Sequence, residues 1–365
     1  MKSFVPVLLF ATLIMACAEK PEEKMYTLFV GTYTDGDSEG IYTYTFDSGT
    51  GELANKQLAA KLTSPSYLAL SKDHKNLYAV QETADFDSLG GGVTAFALKD
   101  GMLEIQNSSG TQGAHPCHVS LSGDGHLAVA NYTGGNVALF KLNADGSLGD
   151  DPQIIDHKVL DTTKTAHAHM AQFTADGLMV TDLGLDAVKR YEAKNGEFVP
   201  ASQPSLPFVE GAGPRHFTFG EGGKMLYVIN ELNSTISVFE KDAEDQYQEV
   251  QVIPTLDEGY QGENACADLH LSPDGKFLYG SNRGENTIVI FSVDAEKETL
   301  SLVGRESVHG DWPRNFSMDP TGGFLLVANQ RSSNITVFKR DREKGTLTYL
   351  NETALPNPVC LVFED

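Results

Sequence analysis

Three arginines carry the most suggestive chemistry in an otherwise acidic chain: Arg215 in Gly-Pro-Arg-His, Arg283 in Ser-Asn-Arg-Gly and Arg314 in Trp-Pro-Arg-Asn. A guanidinium forks two hydrogen bonds onto a carboxylate or phosphate, so three at one place would clamp an anion. His169 and Glu231 supply the other half of a reaction site. An imidazole near neutrality and a carboxylate tuned by its surroundings are the usual pair for moving protons. Glu82, His118, His167 and His216 are further candidates for touching a ligand, and His115 and His167 fall in loops. Each assignment has a structural alternative: Arg215 or Arg283 simply paired with Glu231, His169 a hydrogen-bonded strut, His118 and His216 packing residues. Cys117, Cys266 and Cys360 lack the spacing of a zinc site and read as buried small hydrophobes. Neither a metal nor an organic cofactor is expected.

These residues are far apart along the chain, so an architecture has to gather them. The sequence repeats one unit: an apolar strand, a turn resembling Ser-Pro-Asp-Gly, and a second strand ending in a small or polar residue. Those terminal residues are Thr32, Gln81, Asn131, Asp182, Asn230, Asn282 and Asn329, spaced by 49, 50, 51, 48, 52 and 47. An alternating third strand follows, such as Asn136–Phe140 or Thr287–Phe291, and then a weaker fourth segment. Four-stranded units of this length arranged radially make an all-β, seven-bladed β-propeller with four antiparallel strands per blade. The first repeat lacks its opening strand, and the C-terminal Pro356–Phe363 looks like an opening strand with no successor. That tail is expected to close the ring as the innermost strand of the first blade.

Comparing the copies turns the repeat into columns. One column, at the start of the innermost strand, holds Ser66, Cys117, His169, Arg215, Ala267 and Arg314; the next holds Tyr67, His118, Met170, His216, Asp268 and Asn315. A third, just after the second strand, holds Tyr33, Glu82, Tyr132, Leu183, Glu231, Arg283 and Gln330. A hairpin brings the start of one strand and the end of the next to the same edge, so His169, Arg215, Glu231, Arg283 and Arg314 should meet at one mouth of the central channel. Strict alternation turns the second column, with His118 and His216, to the opposite strand face.

The 365 residues carry 27 Lys and Arg against 50 Asp and Glu, a net charge of −23, which disfavours nucleic-acid partners. Anionic small molecules remain compatible with a locally positive mouth. Residues 1–17 read as a signal peptide, with Lys2 before an apolar stretch. Ile14-Met15-Ala16-Cys17 resembles a bacterial lipobox with Cys17 as the lipidated residue; an ordinary cleaved signal is the alternative. Residues 18–24 then form a polar tether and 25–365 a single propeller. The expectation is an exported protein, periplasmic or lipid-anchored, whose only membrane contact is that anchor.

The quoted motifs, together with Pro116-Cys-His-Val, Asp182-Leu-Gly-Leu-Asp186, Val228-Ile-Asn-Glu-Leu232 and Val327-Ala-Asn-Gln330, resemble the seven-bladed propeller lactonases. That family includes bacterial 6-phosphogluconolactonase and fungal carboxymuconate lactonizing enzyme. The resemblance implies a catalytic set of one histidine, two arginines and a glutamate, matched here by His169, Arg215, Arg283 and Glu231. Ala166-His-Ala-His stands where the family usually opens with Pro-His-x-His. It further implies hydrolysis of a sugar-acid lactone, with lactonization of an unsaturated dicarboxylate as the alternative reaction. A propeller mouth used only to bind a sugar or other ligand is the alternative outside enzymology.

Overall fold

Each repeat folds as a four-stranded antiparallel sheet because its apolar residues alternate and its turns carry Asp-Gly or Asn pairs. The computed structural model describes residues 24–99 and 101–364. The signal peptide and Cys17, and all but the last residue of the tether, lie outside them. Seven such sheets form the ring, with innermost strands Leu68–Leu70, Pro116–Leu121, Ala168–Thr174, Pro214–Phe219, Ala265–Leu271, Pro313–Met318 and Pro358–Glu364.

The last of these is the closure. Pro358–Glu364 pairs antiparallel with Met25–Thr32, running from Thr27 opposite Glu364 to Thr32 opposite Pro358, so the C-terminus completes the first blade as expected. One apolar layer fills each of the seven junctions between neighbouring blades. The third strand of every blade contributes an aromatic to these layers: Phe46, Phe96, Phe140, Tyr191, Phe239, Phe291 and Phe338, all buried. Truncating such a ring to alanine costs about 3–5 kcal/mol, so these positions hold the blades together rather than shape the channel.

The Asp-Gly turns face away from the predicted mouth. Gly125 and Gly275 take φ of +87° and +69°, which a β-carbon would strain. Asp274 also accepts two hydrogen bonds from Arg340 Nη2, at 2.9 and 2.8 Å, and so latches the sixth blade to the seventh.

At the other end, the residue that closes the second strand works as a clamp in several blades. Asn131 exchanges hydrogen bonds with Thr111, and Asn282 donates to the Thr255 carbonyl. Asp182 accepts from the His167 and Leu185 backbone N–H groups at 2.8 and 3.0 Å. Asn131, Asp182 and Asn282 therefore satisfy loops that frame the mouth, whereas Asn230 and Asn329 bond hydroxyls of their own third strand. The three candidate hydrophobic cysteines are free and buried.

Candidate active site

The innermost strands do not run straight into the mouth. Their ladders slip between Pro116 and His118, Ala168 and Met170, Pro214 and His216, Cys266 and Leu269, and Pro313 and Asn315. A bulge sets an extra residue against its partner strand and re-aims the side chains beside it. Consecutive residues accordingly share one space: Ser66 with Tyr67, Arg215 with His216, and Arg314 with Asn315 border the same small cavity on the channel axis. The alternation argument that sent His216 to the opposite face is thereby corrected. The His118 ring lies 5.9 Å from that of His216 but does not border this cavity.

Two arginines and one acid form a tight cluster. Glu231 Oε2 lies 2.9 Å from Arg215 Nε and 2.6 Å from Arg283 Nη2. Backbone carbonyls hold the guanidinium groups from behind: Arg215 Nη1 donates to Ala267 O at 2.6 Å, and Arg283 donates to Ala265 O and Cys266 O at 3.0 Å each. Trp312 stacks against Arg283 with its ring centre 5.2 Å from the guanidinium carbon. Both arginines are almost wholly buried, and burial lowers Arg283 to about 10. Burial alone would raise Glu231, but Arg283, then Arg215 and Arg314, outweigh it and hold the carboxyl below its ordinary value. The structural alternative and the functional one thus coincide: the arginines are paired with Glu231, and the pair stands at the mouth.

Arg314 belongs to a looser cluster. Its Nη2 lies 3.9 Å from Glu82 Oε1, and its guanidinium sits 5.3 Å from the centre of the Tyr33 ring. Glu82 is held mainly by neutral donors, the Tyr33 hydroxyl at 2.8 Å and the Ser66 hydroxyl, both on Oε2. Arg215, Arg283 and Arg314 thus meet Glu231 and Glu82 in these two clusters.

Imidazoles line the inner part of the site. His169 meets the edge of Tyr132 at 5.8 Å and the ring of His216 at 5.2 Å. His169 Nδ1, His118 Nδ1 and His216 Nε2 are buried without a hydrogen-bond partner. Burial, then Arg215 and His216, hold His169 well below its ordinary pKa; burial, then His216, does the same for His118. His216 is lowered to about 4 by burial and Arg215, although Asp268 Oδ1 lies 2.7 Å from its Nδ1. His167 stands at the rim, stacked on Tyr132 at 4.5 Å and donating from Nδ1 to the Tyr132 carbonyl. His115 contacts Thr133 Oγ1 at 2.9 Å. Among the described residues, no group of His, Cys, Asp or Glu is arranged to hold a metal ion.

Every blade therefore contributes to one mouth. Tyr33, Ser66, Tyr132 and Asp268 complete it; all four stand in the compared columns, but hydroxyls and a single acid among apolar neighbours carry no charge signal that marks them as site residues. Trp312 stood in no column, and its only signal was adjacency to Pro313-Arg314.

Residues 27–363 match the family model described as lactonase, 7-bladed beta-propeller. The chain belongs to this family. A 6-phosphogluconolactonase of Bacillus subtilis is 36% identical over 348 residues, covering 93% of this chain and 98% of that protein. Among solved structures, a periplasmic gluconolactonase of Pseudomonas aeruginosa superposes with a TM-score of 0.87 at 34% identity, covering 93% of this chain and 99% of the other. A putative 6-phosphogluconolactonase of Bacteroides fragilis gives 0.85 at 34%, with coverage of 93% and 98%. This lactonase-family propeller thus shares nearly its full length with proteins named for opening sugar lactones.

Proposed function

We propose that the chain hydrolyses a sugar-acid or related anionic lactone at the arginine-lined mouth. The observation that carries this reading is Glu231 fixed between Arg215 and Arg283, with the buried His169 Nδ1 left without a hydrogen-bond partner in the same channel. Donors already aimed at one place need no reorganisation as negative charge develops on the lactone carbonyl oxygen. Glu231, held as a carboxylate, serves to orient the two guanidinium groups. Neutral His169 has a lone pair free to take a proton from the attacking water; the proton returns to the ring oxygen as the carbon–oxygen bond breaks. The product is a hydroxy acid, whose carboxylate suits the guanidinium groups that line the mouth. Arg314, with Glu82 and Tyr33, is placed to hold the substrate's own polar or anionic substituent, and His118, His167 and His216 complete the walls.

The expected export would make the substrate an extracytoplasmic lactone. The apolar leader over residues 1–17 and the periplasmic relative point the same way. The test is hydrolysis of glucono-δ-lactone and its 6-phosphate by the purified protein, followed against the spontaneous rate in buffer. Faster opening by the wild type, abolished in Glu231→Gln and His169→Asn, is the expected result. Turnover of unsaturated dicarboxylates instead would indicate the lactonizing reaction. Saturable binding of lactones with no turnover would indicate a ligand-binding propeller.

A further inference from the structure

Asp268 is the most heavily engaged carboxylate in the channel. Its Oδ1 lies 2.7 Å from His216 Nδ1 and accepts from the Leu269 backbone N–H at 3.0 Å. Its Oδ2 lies 3.0 Å from His270 Nε2 and accepts from Asn315 Nδ2 at 2.6 Å and the Phe316 backbone N–H at 3.2 Å. A carboxylate facing Nδ1 requires the proton there, leaving His216 Nε2 as a bare acceptor; that atom is buried and has no partner. His216 borders the same cavity as Arg215 and Arg314. On the other side, His270 lies two residues further down the strand, with a side chain 39% exposed, and opens into a separate hollow at the opposite mouth.

His169 and His216 differ in what would stabilise them as cations. The charges facing His169 are Arg215, Arg314 and Arg283, with His216 beside it. His216 faces Arg215, His270, His118, His169 and the Tyr67 ring, but it alone of the two is backed by a carboxylate. An imidazolium formed on His169 during water attack is therefore better placed one ring deeper.

We propose that Asp268 and His216 are the proton store of the lactone-opening reaction, and that His270, competing for the same carboxylate, couples the opposite mouth to the site. Water loses a proton to His169 as its oxygen bonds to the carbonyl carbon. The proton then rests on His216 Nε2, with Asp268 as counter-charge, and returns by the same rings to the departing oxygen. Asp268 and His216 act here as positioning residues. This rests on the lactonase reading above.

The test uses the full chain, with hydrolysis of glucono-δ-lactone followed across the acid range. Asp268→Asn should lower kcat by about 10²–10⁴, the scale seen when a carboxylate that sets an imidazole tautomer is lost, with KM within about threefold. His270→Gln keeps a donor to Asp268 but cannot become a cation. It should retain activity at neutral pH and move the acid limb of kcat to higher pH, because removing a neighbouring positive charge makes His216 easier to protonate. An unchanged limb in His270→Gln, or an Asp268→Asn that folds and keeps wild-type kcat, would overturn the proposal; if Asp268→Asn does not fold, His270→Gln decides. Nitrogen-15 NMR of the histidines separates this from the lactonase reading. If the wild type opens no lactone, that reading fails, while an Nδ1-protonated His216 that responds as His270 titrates still supports the coupling and an Nε2-protonated one overturns it.

Discussion

The two arginine clusters at the mouth differ in how firmly they are held. In the first, Glu231 sits within 3 Å of Arg215 and Arg283, whose heads are also tied to backbone carbonyls and buried to 2% and 3% exposure. In the second, Arg314 keeps 3.9 Å from Glu82, its side chain is 18% exposed, and the acid is occupied by hydroxyls. The first cluster spans adjacent fifth and sixth blades, where contiguous chain fixes the geometry. The second reaches across the ring closure, from the seventh blade to the first and second. A rigid, dry arrangement suits charge that appears only in the transition state, whereas a looser arginine suits a group already charged in the ground state.

Removing the last ten residues strikes both clusters at once and should have the largest effect. The ladder on Met25–Thr32 disappears, and the strand seated between those of Arg314 and Leu68–Leu70 goes with it. Loss of the cooperative melting transition is expected by calorimetry, and a merely lowered melting point with both clusters still functional would break the link drawn between closure and the second cluster. Glu231→Gln strips the shared counter-charge from two buried arginines; kcat should fall by about 10²–10³ or more, and the melting temperature measured at neutral pH should fall as well, though less than on truncation. Arg314→Gln should act on the other parameter, raising KM about tenfold or more while kcat changes less, as measured by initial rates. An equal loss of kcat in both variants would erase the distinction between the clusters. Tyr33→Phe should have the smallest effect, about 1 kcal/mol or a fewfold in KM, since Ser66 still donates to Glu82.

Stability should follow the inner imidazoles. His118, His169 and His216 have folded-state pKa values below the ordinary 6.5, so the unfolded chain takes up protons first as pH falls. Their neutral burial is harmless above about pH 6.5 and destabilising below it, by up to about 1.4 kcal/mol per pH unit for each group, until the folded form itself titrates. Melting temperature should therefore decline from about pH 6.5 toward about 5, before ordinary carboxylates are protonated. A flat profile over that window would contradict the buried, neutral state of these rings.

The repeat period, the strand alternation and the unmatched ends determined seven blades and their closure, because blade architecture rests on local periodicity and on which strands lack partners. Comparison of columns also brought His169, Arg215, Glu231 and Arg283 to one mouth, since hairpin geometry follows from strand order alone. Alternation failed at His216, where a bulge brings it and Arg215 to one cavity; a bulge changes the local count of residues without any mark in composition. Which arginine pairs with which acid, the hydroxyl grip on Glu82 and the engagement of Asp268 by two imidazoles were decided only by tertiary structure. Those contacts join residues up to 232 positions apart, Glu82 and Arg314 being the extreme, and ångström-scale differences in side-chain reach, not residue type, separate a locked ion pair from an open one.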